Sequence, residues 1–328
     1  MGLWTRARIL VVVLLISHFI IRLAFPFPEF FVDVILYNSI SISSALLVLF
    51  APKYCDKTSK VSLAIGIATW SLGSTLSTWL EFSYLPHFTL TITSSLYLIF
   101  YPSVLIGLIR FIQKSTKFEF IGALDSSILT LGLISLGATF LIKPVLPMFN
   151  GDFSKNFFGL FFPVADLILL SLALTLFLNQ PLSSRNSFLL LGASIFSLSD
   201  FLFLWLSLKE HYSLGRLSDD LWLLGIVLLS EAYWRHGSSS TPAHSLHPLF
   251  ITSSVMVAAT LIGILLLRPG YLPAFILFPS ILTCTLALLR MAIALRDTRS
   301  IDEERFMARA DELTGLPNRR RFIAELNL

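Results

Sequence analysis

An all-α membrane protein, a bundle of about ten transmembrane helices, is the fold class this sequence predicts, on three observations. Of its 328 residues 55% are hydrophobic and 13% charged, with a mean hydropathy of +0.80, whereas soluble domains carry about 25% charged residues. The apolar residues come in runs of about 20, the length a helix needs to cross ~30 Å of hydrocarbon. The charge is collected between those runs and at the C-terminal end, where residues 290–328 hold eight Arg and seven acidic side chains.

Crossings are predicted near 7–25, 33–51, 61–80, 94–112, 121–142, 157–178, 187–208, 219–234, 248–267 and 271–291. Arg6 and Arg8 ahead of Ile9–Ile21 resemble the start of a signal peptide. No small-residue cleavage site follows, because the chain continues Arg22-Leu-Ala-Phe-Pro-Phe-Pro, so the segment reads as a retained anchor. The eighth crossing is squeezed by Asp219, Asp220 and Glu231, with Trp222 and Tyr233-Trp234 as its aromatic belts.

Orientation follows from the basic residues. With the N-terminus inside, the internal connections carry ten Lys and Arg and the external ones five, and positive charge stays on the cytoplasmic side. An even number of crossings returns the C-terminus to the cytoplasm, so the expected location is a bacterial cytoplasmic (inner) membrane with both termini inside.

Several functions are excluded. No basic stripe carries interleaved aromatics, so no nucleic-acid partner is expected. Cys55 and Cys284 stand far apart without His at ligand spacing, which argues against a disulfide framework and a zinc site. His244 and His247 have metal-like spacing but no third ligand nearby. No phosphate loop, nucleophile elbow or His-Glu zinc motif occurs, so no catalytic residue and no metal site is assigned.

Weak internal echoes exist. Phe100-Tyr101-Pro102, Phe161-Phe162-Pro163 and Phe278-Pro279 each place an aromatic residue before Pro in an even-numbered helix, and Trp70 to Trp79 repeats as Phe196 to Trp205. They read equally as helix duplication and as the ordinary preference of Pro and aromatics for helix ends.

Four ionisable residues fall within or near the hydrocarbon: Arg22, Asp125, Asp166 and Asp200. Intramembrane charge is costly and usually faces protein or water. Arg22 and Asp125 lie near helix ends and are expected to snorkel; Arg22 shares a helix face with His18. Asp166 and Asp200 are placed roughly 12–14 Å deep in the sixth and seventh helices. These helices are antiparallel neighbours, so the carboxyls can meet as a sensing or proton site. The plainer reading has each Asp bonded to a nearby hydroxyl, from Ser171, Ser197 or Ser199.

After Arg290 the chain becomes polar, Pro- and Gly-free and rich in helix formers, which predicts a helical linker over 291–310. Its heptad is poor, since a seam through Leu288 and Leu295 also takes Asp302. Then follow Asp311, Leu313, Thr314, Gly315, Leu316, Asn318, Arg319, Arg320 and Phe322, at the spacing Asp-x-Leu-Thr-Gly-Leu-x-Asn-Arg-Arg-x-Phe. Gly315 suits a tight turn, Pro317 a first helical position, and Phe322, Ile323 and Leu326 a buried stripe.

This run closely resembles the opening turn and first helix of the GGDEF family, the bacterial diguanylate cyclases. It covers about twenty residues. The resemblance implies three regions: 1–290 as a polytopic sensor or anchor, 291–310 as a signalling linker, and 311–328 as the N-terminal fragment of a GGDEF domain. It also implies GTP and Mg²⁺ as substrate and cofactor of a complete domain, cyclic di-GMP as product, and a homodimer through the linker and that domain. The family's metal-binding Asp, guanine contacts and Gly-Gly-Asp/Glu-Glu-Phe signature lie downstream of this turn and are not among these residues. The stretch alone is therefore expected to be inactive. Another function class remains open, a proton- or solute-coupled transporter using Asp166 and Asp200.

Overall fold

Hydrocarbon offers no water to backbone N–H and C=O groups, so a spanning chain must satisfy them within its own helices. The computed structural model describes residues 2–25, 27–52, 56–83, 88–115, 120–143, 153–179, 183–209, 211–236 and 248–307, and among them there is no strand. The order is α1 (Leu3–Ala24), α2 (Tyr37–Leu49), α3 (Lys57–Phe82), α4 (Phe88–Ser115), α5 (Phe120–Gly137), α6 (Phe153–Asn179), α7 (Ser184–Leu208), α8 (Leu217–Ala232), α9 (Pro248–Leu267) and α10 (Leu277–Met307). Each falls on one predicted crossing. The GGDEF-like residues Asp311–Phe322, Cys55 and the His244/His247 pair lie outside the described residues.

Among the described residues eight helical spans are long and apolar enough to cross a membrane, α2 only together with the helical turn that precedes it, as Phe31–Leu49. The other two, α3 and α8, differ for physical reasons. Helix α8 has only 16 residues and carries Asp219, Asp220 and Glu231. Its Leu223, Ile226, Leu229 and Ala232 are fully buried, so its polar groups meet protein rather than lipid. Helix α3 owes its low hydropathy to a buried face of small and hydroxyl residues, among them Ser59, Gly66, Ser71, Gly73, Ser74 and Thr78. Such residues let helices approach closely in a membrane, where packing replaces the hydrophobic drive.

The helices form two groups. The larger packs α1–α4 with α6–α8 around one apolar core that includes Ile40, Ile67, Phe100, Leu169, Phe196 and Ile226. The smaller packs α5, α9 and α10 around Ala138, Ile142, Leu261, Leu272 and Ile276, and α5 joins it to α6. Close approach is most visible between α7 and α8: a Cβ on Gly192 would lie 3.0 Å from the Gly225 carbonyl oxygen. On the outside, α1 exposes Leu10, Val13, Ile16 and Ile20, and α9 and α10 expose Leu266, Leu267, Phe278 and Leu288. Apolar area of that extent suits lipid rather than water.

Two departures from regular α-helix position the site. A π-helical turn over Phe31–Leu36 leads into α2, and such turns recur at functional sites. Pro163 lies inside α6 and has no N–H to offer the carbonyl four residues earlier, that of Gly159. Helix α10 runs unbroken from Leu277 through Met307; it starts later than the predicted crossing, because a 3₁₀ turn over Ala274–Ile276 precedes it.

Candidate functional site

Helix α6 places Asp166 at its centre, between Phe153 and Asn179, and α7 places Asp200 eight residues before its Leu208 end. The antiparallel packing of these helices brings the two carboxyls close to each other. The Tyr101 hydroxyl from α4 donates to Asp200 Oδ2 at 2.5 Å and also reaches Asp166. From α8, Trp222 Nε1 donates to Asp200 Oδ1 at 2.6 Å. Ser197 donates weakly to Asp166 Oδ1 at 3.5 Å.

The two acids are therefore unequal. Asp200 receives two strong donors, which suits a carboxylate. Asp166 is fully buried, and its Oδ2 has no hydrogen-bond donor among the described residues. Two buried carboxyls side by side repel when both are ionised, and a proton or a cation between them would relieve that repulsion.

Asp200 opens onto a cavity of about 450 Å³. It lies at the end of the bundle where α1, α3 and α7 finish and α2, α4, α6 and α8 begin. Of its twenty described lining residues nine are aromatic and four acidic (Asp33, Glu81, Asp200 and Asp219), and none of these described residues carries a cationic side chain. Tyr101 and Phe162, each preceding a Pro, stack at 5.7 Å beside Asp200. Trp70 packs against both Phe196 and Trp222, with centroids 6.0 and 6.2 Å away. Gly159 and Pro163 also line the wall, so the carbonyl freed by the proline lies beside the cavity.

A polar cluster closes one side. Arg22 of α1 is buried and ion-pairs with Asp33 of the π-helical turn; it also donates to the Phe27 carbonyl at 2.6 Å. His18 Nδ1 lies 2.9 Å from Asp220 Oδ1. Asp219 accepts from the Gly215 amide at 2.7 Å and from Tyr212 Oη at 3.1 Å, while the Asp219 carbonyl accepts from Tyr37 at 3.1 Å. Burial first, and the Asp219 carboxylate second, push the Tyr212 hydroxyl well above its usual range, so it stays a donor.

The structure thus brings Asp166 and Asp200 together and corrects three neighbouring readings. Arg22 does not snorkel; Asp33 of the π-helical turn and the acidic start of α8 draw it inward. Asp125 does not snorkel either, because Arg290 of α10 pairs with it at 2.9 Å. Trp222 is not a belt residue, since its indole N–H points to Asp200. Of the hydroxyls considered for the local reading, Ser197 alone bonds an Asp of the pair; Ser199 donates to the Ser218 carbonyl and Ser171 to that of Ile168. Tyr101, Trp222, Asp33 and Asp219 were not legible as site residues. The aromatic-Pro echo marked Tyr101 and Phe162 without saying that they stack.

No family model, curated protein or solved structure matches the chain.

Proposed function

We propose that this chain is the membrane-embedded sensory and anchoring region of a bacterial diguanylate cyclase or related GGDEF protein. The observation that carries the reading is the run Asp311, Leu313, Thr314, Gly315, Leu316, Asn318, Arg319, Arg320 and Phe322, placed just after a helix that leaves the bundle. The family's GTP- and Mg²⁺-binding residues lie downstream of this run, so residues 1–310 would supply the input to that chemistry. Its place is the bacterial inner membrane, with both termini cytoplasmic and the cavity opening on the other side. Its partner is a second copy, joined through the linker and the catalytic domains.

The contacts supply a physical route from cavity to output. Asp166 lies on α6; Ser171, further along that helix, bonds Thr130 of α5 at 2.8 Å. Helix α5 meets α10 through Ser135 and Ser280 at 3.3 Å and through Asp125 and Arg290. A shift of α6 that follows the state of the carboxyl pair would press on α5 and so on α10, a bistable contact being what allostery requires. The test is an in-frame fusion of an intact GGDEF domain after residue 310. Cyclic di-GMP synthesis that responds to Asp166→Asn or Asp200→Asn supports the reading; synthesis indifferent to every change in the bundle leaves it an anchor.

A second reading is favoured by one observation, the cavity that reaches a buried carboxyl pair from one side. A proton- or solute-coupled transporter uses such a pair as its carrier site. Proton flux into liposomes containing only this chain, abolished by Asp200→Asn, would establish it.

A further inference from the structure

We infer that the cavity between α2, α3, α4, α6, α7 and α8 is a binding site for an organic ammonium ion with an apolar body. The inference deepens the sensory reading by naming the stimulus class, and it rests on that reading only for its effect on output.

The argument starts from charge. Among the four acidic residues of the lining, Asp33 is neutralised by Arg22, and Asp219 is engaged by Tyr212 and the Gly215 amide. Glu81 is exposed at the rim, where it can draw a cation in. Asp200 remains at the inner wall, where Tyr101 and Trp222 donate to its two oxygens and no cation is paired with it among the described residues. Among the described lining residues no Lys, Arg or His competes for it.

The walls decide which cation. A small metal ion needs several oxygen ligands, and the described residues offer no cluster of three His, Cys, Asp or Glu that could hold one. Tyr97, Tyr101, Trp70 and Trp222 instead line the same cavity as Asp200. Ring faces attract an ammonium group by their quadrupole, most strongly when water is excluded. A volume of about 450 Å³ admits a small organic molecule. The apolar body then packs on Phe158, Phe162 and Phe203 while the ammonium faces Asp200.

The test uses the whole chain in lipid nanodiscs with benzyltrimethylammonium as probe and neopentylbenzene, its uncharged isostere, as control. Trp70 and Trp222 report binding by their fluorescence. The expected result is saturable binding of the cation, with the isostere at least tenfold weaker. Asp200→Asn should weaken the cation at least tenfold, as for a lost charge partner, and Asp297→Asn on α10 should not. Should Asp200→Asn fail to fold, Trp70→Phe takes its place, with an expected loss of about threefold to tenfold. Non-saturable binding, equal affinity for both molecules, or wild-type affinity in the cavity variants overturns the site. Binding without any change in a fused cyclase's output leaves the site standing and overturns the sensory reading instead.

Discussion

Arg290 Nε of α10 lies 2.9 Å from Asp125 Oδ1 of α5, with the aspartate fully buried and the arginine one-fifth exposed. The pair ties the helix that leaves the bundle to the helix that joins its two groups. Its second oxygen, Oδ2, has no partner among the described residues, so the arginine is the main compensation for that charge.

Breaking this pair should be asymmetric. Arg290→Gln strands a buried carboxylate and should lower stability by on the order of 3 kcal/mol. Asp125→Asn leaves an arginine whose long stem can carry its charge toward the interface, and should lower it by about 1 kcal/mol. The double variant should be more stable than Arg290→Gln alone, because the stranded charge is gone. Thermal unfolding of detergent-solubilised protein ranks the three; additive losses would show that the pair does not interact.

The Asp166–Asp200 pair should behave as one unit. Each Asn variant keeps the shape and most of the hydrogen bonding, although at Asp200 only one side-chain oxygen remains to accept, and removes one titrating carboxyl; both should insert and fold, since a neutral amide is cheaper to bury than a charge. In a full-length cyclase fusion each should lock output high or low between pH 5 and 8, and the double variant should add nothing to the singles. Parent-like output from both across that range would falsify a signalling role for the pair.

Two glycines give a matched control. Gly215 has φ +82°, and a Cβ there would lie 2.7 Å from Arg22 Cζ. Gly215→Ala should therefore destabilise by about 1–2 kcal/mol from the left-handed backbone alone, with more from displacing Arg22. Gly263 lies within α9 with nothing within 4 Å of its virtual Cβ, so Gly263→Ala should be neutral or stabilising by about 0.5–1 kcal/mol. Melting of the two variants side by side checks the difference; equal losses would contradict it.

Topology is testable by reporter. With ten basic residues expected inside against five outside, alkaline phosphatase fused after Leu328 should be inactive and a fluorescent protein there bright. After Gly215 the same phosphatase should be active. Reversed activities would overturn the orientation and place the cavity on the cytoplasmic side.

The helices were legible because lipid allows a chain so few options. A run of about 20 apolar residues has little else to form, and all ten helices fell on predicted runs, α8 included despite its acids. Asp166 and Asp200 were legible as candidates for the same reason, since a mid-span carboxylate stands out against Leu and Phe. Their antiparallel helices made a meeting plausible, and the fold supplied it.

What the sequence could not determine was which helix faces which, because apolar side chains in lipid carry no directional signal. Arg22 and Asp125 looked alike, as charges near helix ends free to reach water. Tertiary packing instead gave each a partner far along the chain or across a turn: Arg290 for Asp125, Asp33 for Arg22. Trp222 was a belt residue by position and became a hydrogen-bond donor only when α8 packed beside α7. The cavity belongs wholly to the tertiary structure, since six helices must converge before nine aromatic rings and four carboxyls share one space. Hydropathy sets the depth of a residue in the bilayer, but its rotation about the bundle is decided by contacts among helices.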